Sequence, residues 1–446
     1  MHSKFLLIFS LLFSIYGNTQ LTSNSPFTAY GLGEKGNDML SPFTGLGNCG
    51  LTYFDSTVFN PHNPSTYNTL GEGQPLFTIG LNTQINRYSQ GNNYMLRTTA
   101  YPDPFALAFT LKKHFGLAFG LRPFTEKGYE IVDTTVVGSD SIEYRYLGKG
   151  NINRVFIGLS SNLLKLDNTV LSVGGNIGYL FGTTNNERNS RLLDNTALDG
   201  GVSWNTLSVK SLHYEFGAYF KQTLFSNHHI TLAAVIEPSQ KINATNDSYL
   251  FYGIIGDPEQ YDTLVQTTGV RGYIKMPTNM QFGLGYTFWF DDKKANNSSR
   301  NSEIALHVNY SRTDWTEFES SFENSPFSLL STRLAFGIQY TPERKYLENA
   351  VSSKFHEKIH YRAGFYQSLL PYTISNSQLK DEGFTVGIGL PIITQNTLSS
   401  INLGLSLGQR STEIEGALNE KYVGIQLGIS IAPSAYERWF RKLKLD

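Results

Sequence analysis

From Leu76 to Ile431 apolar and polar residues alternate, segment after segment. Phe77, Ile79, Leu81 and Ile85 interleave with Thr78, Gly80, Asn82 and Gln84. Leu171, Val173, Ile177, Tyr179 and Phe181 interleave with Ser172, Gly174, Asn176 and Gly178. The same holds for Phe282 to Phe290, Ile401 to Leu407 and Val423 to Ile431. A period of two predicts strands with one oily face and one small or polar face. These runs reach about 10 residues or more, longer than typical soluble strands and long enough to cross a bilayer. Tyr, Phe and Trp recur near their ends, as interfacial girdles require.

The pattern places strands near 76–87, 94–112, 116–132, 142–164, 168–183, 205–222 and 229–242. It continues near 279–290, 302–315, 328–342, 357–371, 382–391, 398–410 and 421–432. The expected fold is all-β, a transmembrane antiparallel up-and-down barrel of about 14 strands with both ends on the periplasmic side. Alternate connections are short, as at Lys113–Phe115 and Leu166–Asn168. The long polar ones, Thr184–Trp204 and Asn243–Pro277, fall outside. The second has room for an extra hairpin, Tyr249–Ile255 against Leu264–Ile274. Arg344–His356 breaks the rule, because it would be a long periplasmic turn.

Pro26 to Leu70 does not share the alternation. It is rich in Gly, Asn, Pro and aromatics. Irregular backbone at membrane depth needs polar partners, which a barrel lumen supplies. The segment is therefore expected to be a hatch inside the lumen; the plainer alternative is a loop leading to the first strand. Near its end Asn60-Pro61 and Asn63-Pro64-Ser65 fix extended residues before each Pro and offer Asn side chains to close turns. Ahead of it, Lys4, the apolar run Phe5–Tyr16, and Gly17 and Thr19 spell a secretory signal cut before Gln20. The expected organisation is signal peptide 1–19, hatch 20–75, barrel 76–432 and periplasmic tail 433–446.

Composition narrows the class. Charged residues are 16% and aromatics 13%, and the mean hydropathy of −0.25 excludes a helical membrane protein while suiting a barrel that shows lipid only every second residue. A net charge of −1 argues against nucleic acid as a partner. Cys49 is the one cysteine, so no internal disulfide framework exists, and it lies too far from the signal core to be a lipidated first residue.

With a hatch and this strand count, the chain resembles the FadL-type family of outer-membrane channels for long-chain fatty acids and other hydrophobic molecules. The family's hatch carries Asn-Pro-Ala, and Asn63-Pro64-Ser65 stands in that place with Ser for Ala. Gly120-Leu121-Arg122-Pro123, Tyr179-Leu180-Phe181-Gly182, Tyr361-Arg362-Ala363-Gly364-Phe365, Gly387-Ile388-Gly389-Leu390-Pro391 and the ending Trp439-Phe440-Arg441-Lys442 look like a divergent branch of it. The resemblance implies a kinked third strand that opens a lateral gap in the wall. The residues agree: Gly116, Gly120, Pro123 and Gly128 crowd that strand, Pro cannot donate to a ladder, and Gly weakens one. Gly120 and Pro123 are thus the candidate lateral opening, unless Pro123 stands above the bilayer where strand has become loop. The same superfamily includes the cargo-carrying barrel of type IX secretion, so the resemblance does not fix function.

The inferred lumen face carries Arg122, Arg154, Arg333, Arg362 and Arg410, with Lys221, His307 and His360, and Glu215 as its clearest acid. Guanidinium forks suit a carboxylate ligand, which makes Arg122, Arg333 and Arg362 candidate ligand contacts. The competing reading pairs lumen arginines with hatch carboxylates such as Glu34, Asp38 and Asp55. An enzyme is not expected. His213, His307 and His360 face inward, but no G-x-S-x-G precedes a helix. His228-His229 falls in a predicted turn with its rings diverging, so no metal site is expected there, and no cofactor motif is present.

The reading is a channel for passive uptake of hydrophobic or amphipathic small molecules such as long-chain fatty acids, leaving sideways near the third strand. It would sit in the outer membrane of a Gram-negative bacterium, among outer-membrane lipid, inserted by the barrel assembly machinery. The alternative is a closed-lumen barrel acting as a binding or secretion-accessory protein. External loops at Leu192–Trp204 and Ile254–Gln266 would then hold a partner protein. A general porin with a wet open channel is a third class, disfavoured by a packed hatch.

Overall fold

The computed structural model describes residues 25–432, apart from 37–39, 71–74, 103, 112–113, 139, 194–198, 294–298, 324–326, 328, 344–353, 375–376, 395–396, 413 and 415. The signal, the tail, most of the Arg344–His356 connection, Asp38 and Trp439–Lys442 therefore lie outside the described residues. The described barrel is one closed antiparallel sheet of 14 strands. In order they are β1 (Leu76–Gln90), β2 (Asn93–Pro102, resuming as Phe105–Leu111), β3 (Phe115–Val137) and β4 (Asp140–Lys165). Then come β5 (Thr169–Leu192), β6 (Asp199–Leu224), β7 (His228–Glu237, resuming as Gln240–Ile254) and β8 (Tyr261–Met276, resuming as Asn279–Lys293). The ring continues with β9 (Ser299–Asp314, then Glu319–Ser320), β10 (Leu330–Thr341) and β11 (His360–Ile374). It ends with β12 (Ser377–Thr394), β13 (Thr397–Ser411) and β14 (Asn419–Ile431). β14 closes on β1 from Asn419↔Ser89 to Ile431↔Phe77, so no edge is left at that seam.

Alternation sorts the two faces. Phe77, Ile79, Leu81 and Ile85 of β1, and Ile425, Leu427 and Ile429 of β14, point outward and form part of the apolar belt. Thr78, Asn82, Asn86, Gln426 and Ser430 point inward and are buried. Several strands run well beyond that belt. Thr184–Trp204 is not one long loop: β5 continues to Leu192 and β6 begins at Asp199, paired from Gly182↔Val209 to Arg191↔Gly200. The expected extra hairpin is the outer half of β7 and β8; the register of the inner half carries on to Asn246↔Val270 and then shifts at two bulges. Above the bilayer both faces meet water, so the ladder goes on without an oily face to reveal it. His228-His229 likewise lies inside β7, with His229 buried beside Trp289; the turn is 225–227.

Local bulges in β4, β7, β8 and β11 aside, two places in the wall depart from regular pairing. β7 and β8 both break at a proline, Pro238 and Pro277, on neighbouring strands. There β6 loses its ladder partner from Lys210 to Glu215, and the Gln240 side chain stands in. It accepts from Tyr214 N (2.7 Å) and donates to Tyr214 O (3.0 Å), satisfying backbone that would otherwise be orphaned.

The second is between β2 and β3. Their ladder runs from Leu111↔Phe115 to Phe105↔Leu121 and stops. Beyond it, Asn93–Pro102 pairs with β1, and β3 from Thr125 to Val137 pairs with β4. Pro102 and Pro104 interrupt β2 at this level, and β3 bulges between Pro123 and Thr125. The ion pair Arg97–Glu130, at 3.5 Å, bridges the separated halves.

The lumen is filled by residues 25–36 and 40–70. Short 3-10 turns (Pro26–Ala29 and Pro64–Thr69), one helical turn (Ser41–Thr44) and a two-residue strand (Glu34–Lys35) make up its regular structure. Leu40, Phe43, Leu46, Cys49, Phe59 and Tyr67 are fully or almost fully buried there. The small residues of the polar face are its seat. A side chain on Gly174 would stand 2.4 Å from Pro64 O, and one on Gly217 2.4 Å from Asn63 Oδ1.

Candidate functional site

The candidate site is the contact between the hatch and the wall, above all where β2 leaves β3. The hatch takes up the backbone edge that β2 abandons. Gly36 N–H donates to Phe124 O at 2.9 Å. Glu34 and Lys35 pair as a strand with Glu126 and Thr125. Gly128 N–H donates to the Thr28 hydroxyl at 3.1 Å, and that hydroxyl lies 3.0 Å from Gly128 O. Phe124, Glu126 and Gly128 are alternate residues, so three successive outward-turned rungs of β3 are met by hatch residues 28–36. Gly33 makes the approach possible. Its φ of +100° is a conformation L side chains rarely adopt, and a Cβ there would lie 2.3 Å from Glu126 O.

Charged side chains fasten the same hatch strand to the ring. Glu34 meets Arg410 of β13 at 2.6 Å. Arg410 also contacts Asp381 (3.2 Å) and Glu420 (3.8 Å), so one guanidinium faces three carboxylates. Tyr422 donates to Asp381 at 2.6 Å and is in contact with the Tyr366 hydroxyl. Lys35 meets Glu237 of β7 at 2.7 Å.

From Glu237 a polar chain crosses back to the hatch. His213 Nε2 lies 3.7 Å from Glu237, and Arg154 is 2.9 Å from His213 Nδ1. Arg154 and Arg122 share Glu215 at 3.1 and 2.7 Å, and Arg122 donates to Pro61 O at 3.1 Å. Arg122, Arg154 and Glu215 are each buried to within a few per cent, so the carboxylate balances two cations removed from water. A cavity of about 60 Å³ adjoins this chain, between Leu32 and Lys35 of the hatch and Phe124, His213, Glu237 and Trp315 of the wall.

The remaining sequence-predicted residues are placed as follows. Asn63 caps the turn at Pro64: its Oδ1 accepts from Ser65 N (3.1 Å) and Ser65 Oγ (2.6 Å), and its Nδ2 donates to Leu51 O (3.0 Å). Arg362 donates to Gln339 (2.7 Å), Asn402 (2.8 Å) and the hatch Tyr53 hydroxyl (3.0 Å). Arg333 donates to Ser368 Oγ (3.0 Å) and Gly47 O (3.4 Å), with its guanidinium 4.1 Å from the Tyr366 ring centre. Gly120 lies inside the paired part of β3, opposite Ala106; Pro123 stands at the bulge, opposite Asn153. The predicted arginines thus do not converge on one pocket.

Sequence reasoning missed Thr28, Gly33, Lys35, Glu237, Pro102 and Pro104. Only the two prolines of β2 carried a readable signal. Burial sets the chemistry of the hatch interior. It pushes the Cys49 thiol up to about 12. Burial first, and the charge of Arg122 second, hold the His62 imidazole down to about 3. Among the described residues no three of His, Cys, Asp or Glu gather as a metal site.

The fold has known counterparts. A FadL homologue from Pseudomonas aeruginosa is 11% identical, with a TM-score of 0.53 over 90% of this chain and 99% of that chain. The P. putida toluene transporter TodX is 14% identical, with a TM-score of 0.52 over 90% and 99%. The Ralstonia pickettii toluene transporter TbuX is 14% identical, with a TM-score of 0.51 over 89% and 98%. At such identities the likeness is one of fold. No curated protein matches the sequence. The BamG family model matches residues 1–446. The chain, a barrel with the fold of the FadL-type channels, belongs to the BamG family.

Proposed function

We propose that this barrel passes hydrophobic or amphipathic small molecules, long-chain fatty acids among them, and that they leave through the wall between β2 and β3. One observation carries the reading: the ladder ends at Phe105↔Leu121, where outward Phe119 and Leu121 still belong to the oily belt, and hatch residues 28–36 cover the exposed edge from inside. Unpaired backbone is costly at that depth, and the hatch strand supplies its partners from the lumen side. A hydrophobic molecule leaving there reaches lipid without crossing water. The similar structures, two toluene transporters and a FadL homologue, support the substrate class. No covalent step, metal or cofactor is part of the proposal.

A second reading has its own support. The hatch fills the lumen, and Arg122, Arg333, Arg362 and Arg410 are engaged by hatch or wall. With the family name BamG, this favours a closed-lumen accessory of the barrel assembly machinery. Deleting the protein separates the two. A channel predicts lost uptake of labelled fatty acid or toluene with other outer-membrane barrels at normal levels. An accessory predicts reduced levels of those barrels and unchanged uptake per cell surface.

A further inference from the structure

Above the hatch contact the two strands that part at Leu121 present facing backbone edges. On β3, Phe124, Glu126 and Gly128 turn their edge groups away from β4, toward the hatch. Continuing the alternation, Glu130, Val132, Thr134 and Val136 turn theirs into the gap. From Tyr129 to Val137 the only ladder partner among the described residues is β4. Across the gap, 93–97 pair only with β1 among the described residues. A long edge with unmet N–H and C=O groups is a template for another strand.

The surface of this gap is also apolar beyond the belt. On β1 the outward apolar run stops at Ile85, and Arg87 and Ser89 follow. Their partners Leu96 and Tyr94 are nonetheless 58% and 64% exposed. Val132 and Val136 across the gap are 50% and 69% exposed. Large apolar side chains outside the lipid-facing band mark a contact surface.

We propose that the edges 93–97 and 129–136 form a docking site for an extended segment of a partner protein, added as a β-strand. The partner's chemistry follows from the site. It needs free backbone donors and acceptors at strand spacing, with alternate apolar side chains to cover Leu96, Val132 and Val136. An acyl chain has no such groups. The chain itself shows that the β3 edge accepts a strand, because Glu34–Lys35 already pairs with Thr125–Glu126 just below. Arg97 and Glu130, 3.5 Å apart, show that the two edges face each other across the gap. The site is independent of whether small molecules pass the gap.

Amide hydrogen exchange on the full-length protein in detergent tests this. The probe is a synthetic peptide of about eight alternating Thr and Val residues, the length of an ordinary strand. Its control is the same peptide N-methylated at every second amide. Amides of 130, 132, 134 and 136 are expected to exchange fast alone and to slow roughly tenfold with the probe, and not with the control. Val132→Pro removes one gap-facing donor without touching the β4 ladder, so it should keep heat-modifiable migration and lose the protection. Equal protection by both peptides, protection that survives Val132→Pro, or slow exchange before any peptide is added would overturn the proposal. So would protection that rises with protein concentration alone, which assigns the edge to a second copy of the chain.

Discussion

Glu34 of the hatch reaches Arg410 of β13 at 2.6 Å, while the next residue, Lys35, reaches Glu237 of β7 at 2.7 Å. Two consecutive side chains thus tie one short strand to nearly opposite sides of the ring, and its backbone seals the edge of β3. Neutralising both, Glu34→Gln with Lys35→Gln, should loosen the hatch. Each partly exposed pair contributes up to about 1 kcal/mol, so opening should become roughly tenfold more frequent. Cys49 is the built-in reporter, because it is fully buried inside the hatch core. Its labelling by a thiol reagent should speed up by that factor; an unchanged rate means that the ion pairs do not hold the hatch.

Removing Glu215 should do more harm than removing either arginine beside it. Glu215→Gln takes from Arg122 and Arg154, both buried, the carboxylate they share. An uncompensated buried charge costs about 3–5 kcal/mol. Arg122→Gln leaves the Arg154–Glu215 pair at 3.1 Å in place, so its loss should be smaller. Unfolding followed by heat-modifiable migration ranks the two variants, and the reverse order would refute the shared-carboxylate account.

The lumen arginines should not choose between ligands by charge. Arg122, Arg333 and Arg362 each donate to a hatch or wall oxygen already in place. Replacing each with Gln should therefore lower uptake of a fatty acid and of its neutral alcohol equally. A selective loss of the acid would show that a guanidinium leaves its present partner to meet the ligand.

Acid should loosen the hatch through His62. Burial holds its pKa at about 3 against an ordinary 6.5, so the closed hatch excludes a proton that the opened hatch binds. Above about pH 6.5 neither state binds it and the residue contributes no pH dependence. As pH falls from 6.5 toward 3, closure weakens by about 1.4 kcal/mol per pH unit from this group. Cys49 labelling with a disulfide reagent that reacts in acid should rise across that window in the native protein. His62→Gln should flatten the rise, and two parallel curves would remove His62 from the account.

Much of this architecture was legible in alternation alone, because a strand between lipid and a polar lumen must alternate. Phe77 to Ile85 and Val423 to Ile431 show it plainly. The outer halves of β5 to β8 were hidden for the complementary reason: with water on both sides, Asn185, Thr206 or Asp262 can occupy either face. Glycines on the lumen face were readable as small but not as the seat of the hatch, since Gly174 and Gly217 acquire that meaning only from Pro64 and Asn63. Pro123 flagged a disturbed third strand. That β2 parts from it just past Leu121, and that Thr28, Glu34 and Gly36 take over the edge, depends on contacts between segments about ninety to a hundred residues apart, which no local pattern encodes.

The gap between β2 and β3 carries the proposed lateral route, and fastening it shut tests that most directly. Arg97 and Glu130 already meet across it at 3.5 Å. In a protein with Arg97→Cys and Glu130→Cys, a short bifunctional thiol reagent would join the strands, with Cys49 shielded in the hatch core. Uptake of labelled long-chain fatty acid should be normal before cross-linking and fall to the level of cells lacking the protein afterwards, with surface amount and heat-modifiable migration unchanged. Full uptake after complete cross-linking would contradict the lateral route.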